Sequence, residues 1–79
     1  MYVTQMTRDE MARCTDDELQ CIARLGKHHM RWHDERMMAL AEMGMRVAAA
    51  MGRPLPVSSS EARRVAYANA DATQRKLWE

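Results

Sequence analysis

The stretch KHHMRWHDERMMALAEMGMRVAAAM, residues 27–51, decides the fold. It contains no proline and one internal glycine, Gly44, among Met, Ala, Glu and Arg, residues that lose little freedom in a helix. Met30, Met37, Gly44 and Met51 recur every seven residues. Leu40 and Val47 fill the second seam position, with Ala41 and Ala48 beside it. One long helix over Lys27–Met51 is predicted. Gly52 should close it in a left-handed cap, and Pro54 forbids continuation.

Before this helix, two capping signals stand in series. Thr7-Arg8-Asp9-Glu10 and Thr15-Asp16-Asp17-Glu18 each place a Thr hydroxyl three residues ahead of a Glu that can reach back. Short helices over residues 7–25 follow, the second carrying Leu19, Ile22, Ala23 and Leu25 at helical spacing. Gly26 is expected to end that helix, breaking or kinking the chain. Residues 1–6 read as a flexible arm. After the long helix, Pro54-Leu55-Pro56-Val57 and three serines form a stiff connector over 52–59. Ser58-x-x-Glu61 is a third capping signal, opening a last helix over about 60–78. The expected fold is all-α: a single domain over 1–79, a three- to four-helix bundle or hairpin around one long central helix, with no sheet.

Composition narrows the function. Seventy-nine residues with no Phe but nine Met and twelve Ala make a soft core that is marginal alone. The net charge is +1, built from ten Arg and two Lys against eleven acids. That balance gives no global field for steering nucleic acid or anionic lipid. Two cysteines are too few for a disulfide scaffold, and no run approaches a membrane span. Nothing in residues 1–15 resembles a signal peptide, so a cytoplasmic protein with free thiols is expected.

Twenty-five helical residues span about 37 Å. A compact chain of this size has a radius of gyration of about 12 Å. The long helix therefore exceeds its own globule, and its apolar stripe is wider than two short helices can cover. Ala41, Gly44 and Ala48 add a small-residue patch where another helix can approach closely, from this chain or from a partner. The reading is a protein–protein interaction module, an accessory or inhibitor protein that occupies a partner surface or pairs with itself as a homodimer. Phage and mobile-element inhibitors of bacterial defence complexes are the class-level analogy; no motif carries it. The predicted contact residues are Trp32, Met37, Met38, Met45, Arg31, Arg36 and Trp78, tryptophan and arginine being frequent anchors of interfaces.

Chemical sites are weaker. His29 and His33, four apart on the predicted helix, could chelate a metal, with Cys21 as a further donor. A structural zinc site needs two ligand pairs, and one is present. No cofactor is expected. Neither cysteine shows an activating frame, the His-Glu-x-x-His pattern is absent, and no glycine loop cradles phosphate. The chain is predicted not to be an enzyme. A helical nucleic-acid-binding regulator is the alternative function, resting on Arg24, Lys27, His28, His29, Arg31 and Arg36 with Arg63, Arg64, Arg75 and Lys76. A His/Cys metal-binding module is the second alternative.

Overall fold

Four of the five α-helices among the described residues begin where a side chain takes up the first free backbone amides; the central one does not. A computed structural model describes residues 7–78, the side chain of Leu77 excepted; the arm predicted over residues 1–6 lies outside them. Thr7 and Thr15 both close full capping boxes. Each hydroxyl accepts from the Glu amide three residues on, at 3.2 Å, and Glu10 and Glu18 accept from the two threonine amides at 3.1 and 2.9 Å. They open α1 (Arg8–Arg13) and α2 (Asp16–His28). A 3-10 turn over Met30–Trp32 follows, then α3 (His33–Ala50), α4 (Ser59–Asn69) and α5 (Ala72–Trp78). The described residues form a small all-helical bundle.

The central helix is shorter than its sequence suggests. It starts at His33 and not at Lys27, because α2 runs through Gly26 and the chain turns at His29, whose backbone is extended (φ −131°, ψ 112°). Gly26 is buried inside α2 and does not cap it. A Cβ there would strike the Cβ of Arg36 and lie 2.6 Å from the Trp32 carbonyl. Gly26 is thus the point where α2 folds back on the following turn and on α3. The left-handed cap belongs to Gly52 (φ 70°), where the Arg53 amide returns to the Ala48 carbonyl at 3.0 Å.

The last helix also divides. Asp71 Oδ1 accepts from the Gln74 amide at 2.8 Å, and Gln74 Oε1 accepts from the Asp71 amide at 3.3 Å. This cap restarts the chain as α5 after an extended Ala70. At the head of α4, Ser58 Oγ accepts from the Glu61 amide at 3.2 Å, but Glu61 reaches back to the Val57 amide and not to that of Ser58.

Helix α3 packs between α2 and α4, with α1 against it and α5 against α2. Ala39, Leu40 and Met43 meet Met11, Leu19, Ala23, Ala66 and Trp78 in one core. Gly44 faces α4 so closely that a Cβ would overlap the Ala62 carbonyl. Ala48, Ala62 and Ala66 are buried as well. Gly44 and Ala48 of the small-residue patch are therefore covered from within the chain, while Ala41 is half-buried. Trp78 is 2% exposed: its indole N–H donates to Gln20 Oε1 at 2.7 Å, and its ring meets Tyr67 edge-on at 5.3 Å. Among the described residues, no helix is long and apolar enough to cross a membrane.

Candidate docking site

The predicted contact residues separate into three groups. Trp78 and Arg36 are committed inside the fold. Arg36 donates through Nη2 to Tyr67 Oη at 3.3 Å and to the Trp78 carbonyl, joining α3, α4 and α5. Trp32 and Met37 are half-buried, and Met37 packs on the core. Arg31 is exposed on the turn between α2 and α3. Met38 and Met45 form the third group. Seven residues apart, they share a face of α3 and line a cleft of about 210 Å³.

Four segments build this cleft. Helix α3 contributes Met38, Ala41, Glu42 and Met45, and α1 contributes Arg8 and Met11. Pro56 and Val57 come from the connector, and Ser58, Ser59 and Ala62 from the head of α4. Arg46 holds α1 in place beside it. Its Nη2 donates to the carbonyls of Cys14 at 2.6 Å, Ala12 at 3.2 Å and Met11 at 3.4 Å, collecting the free acceptors at the end of α1. Its Nη1 meets Asp16 at 2.8 Å and its Nε meets Glu42 at 3.0 Å. These partners, Asp16 above all, raise the affinity of Arg46 for its proton. On the other wall, Arg8 Nη2 donates to Ser59 Oγ at 3.2 Å.

Val57, which lines the cleft, is 90% exposed. Leu55 at 53% and Met51 at 45% are exposed on and just before the connector, outside the cleft lining. Pro54 and Pro56 fix φ there and donate no backbone hydrogen bond, so the connector stays extended over the surface. Sequence reasoning named Met38 and Met45 but missed Arg8, Pro56 and Val57. Their contribution depends on pairings as distant as Arg8 with Ser59, which no local pattern announces.

The histidine pair is not a chelate on one helix. His29 ends α2, His33 begins α3, and the 3-10 turn lies between them. His28, His29, His33 and Cys21 are all exposed, and no group of three or more His, Cys, Asp or Glu among the described residues is placed to hold a metal. Cys14 Sγ donates to the Glu10 carbonyl at 3.3 Å. Desolvation, and then the Glu18 carboxylate, push its thiol above the ordinary range, opposite to what a nucleophile needs.

No protein-family model matches the chain, and neither a curated protein nor a solved structure does.

Proposed function

We propose that this chain is a protein–protein interaction module that acts by occupying a partner's surface, in the manner of a small accessory or inhibitor protein. The carrying observation is the Met-lined cleft with the exposed Val57 among its lining residues. Methionine arms adapt to varied apolar shapes, which suits a docking surface better than a substrate pocket. The fold builds the cleft from α1, α3, the connector and the head of α4. A photo-crosslinking phenylalanine analogue at Val57, introduced in the source cells, tests this. A discrete adduct at position 57, absent at the exposed Arg64 and lost with Met45→Arg, supports the reading. An adduct of twice the chain's own mass identifies a homodimer. Equal labelling at 57 and 64, or none, counts against docking.

A second reading is favoured by one contact. Lys27 Nζ donates to the Lys76 carbonyl at 3.2 Å, which brings Lys76 of α5 against α2, the helix that also carries exposed Arg24. The near-neutral chain thereby gathers cations at the α2–α5 end, where a nucleic-acid backbone would be the anionic partner. A gel shift at low salt, with affinity falling steeply as salt rises, would support this reading.

A further inference from the structure

We infer that the cleft receives one large apolar side chain whose immediate neighbour in the partner is a carboxylate. This rests on the reading of the cleft as a docking site and adds the chemistry of what docks. The space of about 210 Å³ equals about seven water molecules at ~30 Å³ each, or one large side chain. Met11 and Ala62 are buried beneath it, and Met38, Ala41, Met45, Pro56 and Val57 surround it. Such a lining rewards an apolar group.

Two charged residues line the cleft, Arg8 and Glu42, and they differ in state. Glu42 is held by Arg46 at 3.0 Å, and Arg46 is shared with Asp16, so the Glu42 charge is answered within the fold. Arg8 has the Ser59 hydroxyl as its hydrogen-bond partner, and the ion pairs among the described residues belong to Arg46. The acids of α1 do not reach the same side. Arg8 and Met11 are three apart and share the cleft face, Asp9 is about 100° round the helix, and Glu10 is folded back on the Thr7 amide at 3.1 Å. Ser58 and Ser59 bring the positive end of α4 to the same wall, where Glu61 answers part of it by accepting from the Val57 amide at 3.4 Å. An apolar group docked here meets a positive mouth. A carboxylate next to it completes Arg8, and a cation there is repelled.

Two small probes separate the apolar part from the charge. 4-Phenylbutanoate and 4-phenylbutanamide share an apolar body and differ in the carboxylate. Each is titrated into the full chain carrying labelled methionine methyls. Both should shift Met38 and Met45 and leave Met30 unmoved. The acid should bind about threefold more tightly at low salt, a margin that shrinks as salt rises. In Arg8→Gln the two affinities should become equal while the amide's is unchanged. Equal binding of acid and amide to the native chain overturns the charge assignment while leaving the docking reading standing. Absence of shifts at Met38 and Met45 with both probes overturns the docking reading and this inference with it.

Discussion

Replacing Gly44 by alanine tests the packing on which the whole bundle depends, because the two opposing effects differ in sign. Ala is the better helix former by about 1 kcal/mol, so on an open face of α3 the change would stabilise the protein. The structure places the new Cβ against the Ala62 backbone, overlapping its carbonyl oxygen and 2.6 Å from the carbonyl carbon. A backbone carbonyl cannot rotate aside as the end of a side chain can, so α3 and α4 must separate. Overpacking of this kind costs about 1–3 kcal/mol, and a backbone clash belongs at the upper end. The net loss is then about 2 kcal/mol. That is a large part of the roughly 4–12 kcal/mol expected for a domain of this length. At about 4–8 °C per kcal/mol for a domain of this size, the midpoint should fall by roughly 8–16 °C. Thermal unfolding followed by circular dichroism reads this directly, and urea unfolding should show a lower midpoint at unchanged slope. A Gly44→Ala protein that melts higher than the parent would refute the close approach of α3 and α4. It would also free the Ala41–Gly44–Ala48 patch for an external partner.

Four further outcomes follow from named contacts. Arg46→Met should cost about 1.5–3 kcal/mol, since it removes the donor to the carbonyls of Ala12 and Cys14 and leaves the half-buried Glu42 carboxylate without its cation; amide exchange should show α1 loosening before α3. Trp78→Ala should cost about 3–5 kcal/mol, whereas Trp78→Phe, which keeps most of the ring and deletes the bond to Gln20, should cost clearly less by chemical denaturation. Glu35 is 2% exposed, with Oε2 lacking a partner among the described residues, so Glu35→Leu should raise the melting temperature; a fall would reveal a partner for that oxygen. The Thr15 amide and hydroxyl hold the Glu18 pKa below its ordinary value. A lowered folded value means stability present above the unfolded carboxylate range and lost as pH falls through the folded one. Melting of α2 should therefore drop on acidification below about pH 4.5, and Glu18→Gln should flatten that dependence.

Local chemistry was legible wherever a side chain acts on its own turn. The Thr7 and Thr15 boxes, the Gly52 cap and the Ser58 cap can all be read from spacing, because each is closed within five residues. Asp71-x-x-Gln74 carried the same signal. It lies in an Ala-rich stretch whose composition favours one unbroken helix to residue 78. Gly26 shows the opposite limit. Its residue type announced a special backbone position, but a cap and a close approach look identical in sequence; only the return of Trp32 and Arg36 onto it distinguishes them. The cleft was half legible. Met38 and Met45 share a heptad position, while the opposite wall comes from the connector and α1, which long-range packing brings in.

The turn at His29 also changes why a partner is expected. On a continuous helix from Lys27 to Met51, length and the width of the apolar stripe together pointed to one. The eighteen residues of α3 span about 27 Å, well within the 42 Å long extent of the molecule, so the helix fits its own fold. Met30 leaves the heptad and stands 93% exposed on the 3-10 turn, while Gly44 and Ala48 turn to α4. Ala39, Leu40 and Met43 join the common core. What remains of the apolar stripe is its narrowest part, Met38 and Met45, bordered by α1 and the connector. The surface left for association is thus smaller: not a whole helix in need of cover, but a space about one side chain in size with Arg8 at its edge. A partner that fills it needs one well-placed anchor and not an extended apolar helix. Truncating Met45 should therefore weaken binding far more than truncating the exposed Met30.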